Sequence, residues 1–142
     1  MTRFAELAVT TNFSFLRGGS HPEELVHEAA RLGLAGIAVT DRNTLAGVVR
    51  GHIAAKETGF HYAVGCRLAF RDEPATGPLP ASRGNLTLVP PSGPRPPPDV
   101  LAWPTDRDAY GRLCRLLTLG NRRAEKGECH LDLADQIGRA HV

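Results

Sequence analysis

Asp41 and Arg42 follow directly on the apolar run Ala35 to Thr40, Arg67 closes the segment Gly65-Cys66-Arg67, and Arg17 sits in the polar loop after the apolar stretch 5–10. In folds built from parallel strands, chemistry collects at the C-terminal ends of the strands, so these are the places to look. The side chains found there favour anion binding over catalysis. A guanidinium is a permanent cation with a planar fork of donors and no lone pair. Two readings follow for Arg17, Arg42 and Arg67. They face solvent or pair with Asp41 and Glu6, or they converge into an anion pocket suited to phosphate. Asp41 is the one carboxylate at these strand ends.

Other reactive residues form no working set. Ser14 and Ser20 have no His at a spacing that suggests a nucleophile triad. His21, His27, His52 and His61 are scattered, with His27 and His52 on expected helices, which suits packing or surface roles. Cys66, Cys114 and Cys129 are odd in number and widely spaced, so they imply reduced thiols rather than a disulfide framework. Cys129 and His130 are adjacent, which does not match zinc-ligand spacing, and no second pair exists. Arg17-Gly18-Gly19 is not a phosphate-loop motif. Arg112, Arg115, Arg122, Arg123 and Lys126 form a basic stretch, read either as a solvated helix face or as a contact to a DNA backbone or a neighbouring domain.

The elements that must position these residues are legible from periodicity. Residues 5–10 read as a first strand. Ser20 opens a helix, with Glu23 completing a capping box, Pro22 in the first turn, and Leu25, Val26, Ala29 and Leu32 on one face up to Gly33. Ala35 to Thr40 reads as a buried parallel strand. A second helix is expected over Leu45 to Thr58, with Leu45, Val48, Val49 and Ile53 inward and Gly59 at its end. A strand at about Tyr62 to Val64 leads into Gly65-Cys66-Arg67 and a further strand to Phe70. Residues 71–98 are rich in proline and glycine, with six prolines in 90–98, and read as an irregular loop around a short strand at Asn85 to Val89. Val100 to Trp103 reads as a further strand. A third helix follows, capped by Thr105 and Asp108, striped by Tyr110, Leu113, Cys114 and Leu117, and ended by Gly120. Alternating strands and helices with short connections imply an α/β fold with right-handed parallel crossovers, a barrel or a doubly wound sheet.

The 142 residues, 42% hydrophobic and 23% charged, suit one modest globular domain. A net charge of +2 does not by itself argue for nucleic acid. No apolar run reaches the ~20 residues of a membrane span, and Met1 to Thr10 does not resemble a signal peptide, so a cytoplasmic location without membrane contact is expected. A complete eight-stranded barrel takes ~250 residues, so the barrel is expected to be incomplete.

The run from Asn12 to Gly59, with the blocks Thr10 to Gly18, Val39 to Asn43, Val64 to Leu68 and Trp103 to Leu131, resembles the start of PHP (polymerase and histidinol phosphatase) domains in bacterial C-family DNA polymerases, above all their error-prone branch. The resemblance covers about residues 4–135 in order. It implies a PHP-type (β/α) barrel, here a partial domain over 1–135, with parallel strands and surrounding helices. Active members hold up to three divalent metals on His, Asp and Glu. By the resemblance, the His-x-His positions are Ala8 and Thr10, an acidic loop position is Arg17, the His after Thr-Asp is Arg42, and a Glu is Arg67, leaving Asp41. Metals need imidazole or carboxylate donors. Cations ~4 Å apart repel by about 4 kcal/mol at an effective dielectric of ~20. No metal cluster and no catalytic residue are therefore expected here.

The resemblance further implies a parent DNA-directed DNA polymerase, a nucleotidyltransferase of damage-induced mutagenesis and translesion synthesis. Mg2+, primed DNA, deoxynucleoside triphosphates, a sliding clamp and mutagenesis accessory proteins would serve that parent, and the rest of its chain would be this region's partner. Alternatives are a free-standing metal-dependent PHP phosphoesterase of histidinol-phosphatase type, or an anion- or DNA-backbone-binding module. Family similarity stops near Asp135. Ile137 to Val142 matches one translation frame of a common sequencing-library adapter, so 136–142 is expected to be a non-native tail.

Overall fold

The structure, a computed structural model, describes residues 3–71 and 98–137. The elements are β1 (Ala5–Val9), α1 (Pro22–Arg31), β2 (Gly36–Arg42), α2 (Val48–Thr58), β3 (Tyr62–Leu68), β4 (Val100–Ala102), α3 (Arg107–Arg123) and α4 (Leu133–Ile137). The strands form one curled sheet in the order β1-β2-β3-β4. β1, β2 and β3 are parallel, and β4 runs antiparallel to β3. This is the expected partial barrel, with one antiparallel edge that periodicity did not reveal. The candidate strand at Asn85 to Val89 lies outside the described residues.

Alternation along the strands sorts side chains onto two faces. Ile37 joins a core with Val26, Ala29, Ala54 and Ala55, and Cys66, Leu68 and Phe70 join another with Leu113, Leu116, Leu117 and Leu131. The face carrying these residues is covered by helices. The opposite, concave face carries Thr40, Arg42, Gly65, Arg67 and Leu101, by the register of β2, β3 and β4. Trp103 lies across it: a Cβ on Gly65 would come within 2.9 Å of the indole and 2.7 Å of Thr40 Cγ2. The indole Nε1 donates to the Leu7 carbonyl of β1 at 3.1 Å. Leu7 falls where the β1–β2 register shifts, between Glu6 and Val9, so the indole serves a carbonyl at the irregular part of the ladder.

Several element boundaries differ from expectation. α1 is capped by His21, whose N–H donates to Glu24 Oε2 at 2.9 Å, because Pro22 occupies the first helical position. α2 starts at Val48, three residues after Leu45, which instead packs against the α3 core. Its buried residues are Val48, Gly51, Ala54 and Ala55, whereas Val49 and Ile53 are 63% and 51% exposed. Small side chains let α2 pack close: a Cβ on Gly51 would meet the Tyr62 hydroxyl at 2.6 Å. Leu32, expected inward, is 60% exposed. α3 is capped by Asp106, which accepts from Ala109 N–H at 2.7 Å, rather than by Thr105.

Gly120 does not end α3. The helix continues to Arg123, and Gly120 is buried within it. A Cβ there would lie 2.6 Å from Cys129 Sγ and 2.7 Å from Leu131 Cδ2. The glycine is a contact point for the returning chain, whose His130 N–H donates to the Gly120 carbonyl at 3.0 Å.

Candidate functional site: the C-terminal rim of the sheet

Asp41, buried at 1% exposure, is the last residue of β2 but one. It is the register partner of Cys66, and its side chain points to the helical face. Its Oδ1 accepts from Thr11 N–H at 2.8 Å and Ser14 Oγ at 2.7 Å. Its Oδ2 accepts from Thr11 Oγ1 at 2.7 Å. The two hydroxyls are shared onward: Phe13 N–H donates to Thr11 Oγ1 at 3.1 Å and Arg42 N–H to Ser14 Oγ at 2.9 Å. The carboxylate thus fastens the β1–α1 loop to the end of β2. Among the described residues it has no ion-pair partner.

Tyr62 stands nearby on β3. Burial first, and the Asp41 charge second, push its phenol from 10.0 to about 12. Burial is likewise the main cause that raises the Cys66 thiol from 9.0 to about 12.

The other positions singled out from the resemblance separate from Asp41. Val9 packs with the helical core, so Ala8 beside it in β1 lies on the concave face with Arg42 and Arg67, and Thr10 follows the strand end. Arg42 and Arg67 are register partners on neighbouring strands. Arg42 Nη1 pairs with Asp99 at 3.2 Å. Among the described residues Arg67 has no ion-pair partner. Among the described residues Glu6 makes no ion pair with the arginines; its Oε1 accepts from Ala8 N–H at 3.1 Å. Arg17 is exposed in the loop and likewise has no ion pair among the described residues. The salt-bridge partners anticipated from sequence, Asp41 and Glu6, are therefore replaced by Asp99.

Asn43 was not singled out from sequence. It takes a positive φ of 50°, a conformation in which Asn is among the better-tolerated side chains. Its amide bonds both ways with Ala69, Nδ2 to the carbonyl at 3.0 Å and Oδ1 from the N–H at 2.8 Å. That clamp holds the β2–α2 turn against the end of β3. Beside it opens a cleft of about 830 Å3, walled by Arg42, Asn43 and Arg71 on one side and by Lys126 and His130 on the other.

The remaining candidates are accounted for locally. Arg71 makes two bonds to Asp132, at 2.8 and 2.9 Å, and Arg123 pairs with Asp135 at 2.6 Å. Arg112, Arg115, Arg122 and Lys126 are exposed. His130 contacts Glu128 at 3.0 Å, and Cys129 Sγ faces the Leu117 carbonyl. His21, His27, His52 and His61 are exposed.

The side chains at this rim do not fit a metal cluster. The concave face offers alanine, threonine and arginine, and Asp41 is turned away with three donors already on it. Among the described residues no three His, Cys, Asp or Glu side chains converge to hold an ion.

Comparison with known proteins agrees with this architecture. The chain is 50% identical over 137 residues to a Rhodopseudomonas palustris protein named error-prone DNA polymerase, covering 94% of this chain and 10% of the relative. Likewise named are a Brucella abortus relative, 47% identical over 145 residues, covering 99% of this chain and 11% of the relative, and a Caulobacter vibrioides relative, 49% identical over 132 residues, covering 93% and 10%. The chain thus spans about a tenth of the length of the curated relatives it matches. Among solved structures, an amidohydrolase from Chromobacterium violaceum with bound sulfate and no metal superposes with a TM-score of 0.55 at 18% identity, covering 83% of this chain and 33% of that one. A protein assigned as a metal-dependent phosphoesterase from Bifidobacterium adolescentis superposes with a TM-score of 0.51 at 23% identity, covering 87% and 36%. The PHP domain family matches residues 6–137, and the chain belongs to that family.

Proposed function

We propose that this chain is the N-terminal scaffold region of an error-prone DNA-directed DNA polymerase, a nucleotidyltransferase acting in damage-induced mutagenesis and translesion synthesis, and that the region itself is catalytically silent. The observation that carries the silent reading is the rim just described. None of the ligand positions that the resemblance implies, Asp41 apart, carries an imidazole or a carboxylate, and Asp41 works as a staple on the other face. The polymerase reading is supported by the names of relatives about 50% identical over nearly the whole chain. In that reading Mg2+, primed DNA, deoxynucleoside triphosphates, a sliding clamp and mutagenesis accessory proteins belong to the parent in the cytoplasm. The present region packs on the rest of the polymerase chain. Among the described residues no helix is long and apolar enough to cross a membrane.

The test compares two chains. The 142-residue chain, supplied with manganese or zinc, should hydrolyse p-nitrophenyl phosphate no faster than buffer. It should also fail to extend a primer, since nucleotidyl transfer needs carboxylates that hold two metals ~4 Å apart. A chain continuing through the missing nine-tenths should extend a primer past a template lesion. Metal-dependent hydrolysis by the short chain would favour the phosphoesterase alternative. Failure of the long chain to extend would overturn the polymerase assignment.

A further inference from the structure

Arg42 and Arg67 are in register on adjacent parallel strands, so their Cα atoms stand one strand spacing apart, ~4.8 Å, and their side chains leave the same face. Like charges held that close need counter-charge. The structure supplies part of it. Asp99 reaches Arg42 at 3.2 Å, with both side chains partly exposed at 36% and 30%. Arg67 has no ion pair among the described residues. Asp41 points to the opposite face, and Glu6, whose Oε1 accepts from the Ala8 N–H, makes no ion pair with either arginine among the described residues. On the concave face two guanidiniums stand against one carboxylate, Asp99, which leaves a net positive charge on that face.

We propose that Arg42 and Arg67 form an oxyanion site that takes a phosphate group. A planar fork of donors on each strand can engage two oxygens of one tetrahedral anion, which supplies the missing negative charge and bridges β2 to β3. The site needs no metal and does not depend on the polymerase assignment. Arg17, in the loop after β1, is not required for it. The phosphate can be a free or terminal phosphate, or a phosphodiester of a nucleic-acid strand, since both present the same oxygens.

The experiment is calorimetric titration of the 142-residue chain with inorganic phosphate at low ionic strength, with the 31P line width as a second readout. One saturable phosphate per chain is expected. Arg42→Ala and Arg67→Ala should each weaken it about tenfold or more, the scale of one lost charge-assisted contact. Arg115→Ala, an exposed arginine on α3, should leave affinity within about twofold. If an alanine variant loses its circular dichroism, Arg42→Lys and Arg67→Lys take its place. They keep the charge, lose the fork, and should still weaken binding severalfold. Absence of saturable binding by the unmodified chain, or an equal loss in Arg115→Ala, overturns the proposal. Competition by a 5′-phosphorylated dinucleotide but not its unphosphorylated form supports a terminal-phosphate site. Equal competition by both supports a phosphodiester site.

Discussion

A buried carboxylate without a cation must be held by hydrogen bonds, and Asp41 meets that requirement through Thr11 and Ser14. Replacing it by alanine leaves two hydroxyls and an N–H without their acceptor in a closed site. Asp41→Ala should cost about 3 kcal/mol or more in urea unfolding, and Asp41→Asn, which keeps one acceptor, roughly half of that. The same neighbourhood sets a pH response. Tyr62 has its folded phenol raised to about 12 by burial and by Asp41, above the ordinary 10.0. A raised folded value means stability that is fully present below pH ~10 and lost as pH climbs through ~12. The urea midpoint should therefore fall between pH 10 and 12, and Tyr62→Phe should flatten that fall. Cys66 is fully buried with its thiol also raised to about 12. It should resist thiol reagents at pH 8 under native conditions, while Cys114 and Cys129, both partly exposed, react first. Prompt labelling of Cys66 in the native chain would contradict the packing described.

At the scale of elements, two glycines of α3 make opposite predictions. Gly120 sits against Cys129 and Leu131 with no room for a methyl group. Gly120→Ala should destabilise by about 1–3 kcal/mol through overpacking. Gly111 has nothing within 4 Å of its added Cβ, so Gly111→Ala should stabilise the helix by up to ~1 kcal/mol. Thermal melts of the two variants should move in opposite directions. If both fell, the return of residues 129–131 across α3 would not be what decides the difference. The same principle explains α2: its close approach to Tyr62 through Gly51 buries alanines and leaves Val49 and Ile53 outside.

Among the described residues the sheet is open. β1 and β4 are its edges, and Phe4, Leu7, Phe15 and Leu16 are exposed at 60%, 49%, 83% and 89%. Apolar surface of that kind and unpaired edges favour association. The chain should show concentration-dependent association in sedimentation, and a chain extended through the rest of the PHP domain should melt higher and remain monomeric. A sharp, concentration-independent melt of the short monomer would show that the half-barrel is self-sufficient.

The sequence by itself determined the family, the alternation of strand and helix, and the chemical poverty of the ligand positions. Those rest on residue identity and local periodicity: an arginine at 42 or 67 is a non-ligand in any fold, and Val26 with Ala29, or Leu113 with Leu117, marks a helix face wherever it packs. Tertiary structure alone decided what depends on partners distant in the chain. Asp99, 57 residues from Arg42, became its counter-charge, and Thr11 and Ser14 claimed Asp41 from 30 and 27 residues away. The spaced hydroxyls of Thr11 and Ser14 were visible, but nothing local said which carboxylate they would meet. Gly120 read as a helix end because glycine often ends helices. Only the return of Cys129 and Leu131 made it a packing glycine. The two faces of β2 follow from a period of two. Which face would meet the helices, and so which of Asp41 and Arg42 would be buried, was set by where the apolar faces of α1, α2 and α3 came together.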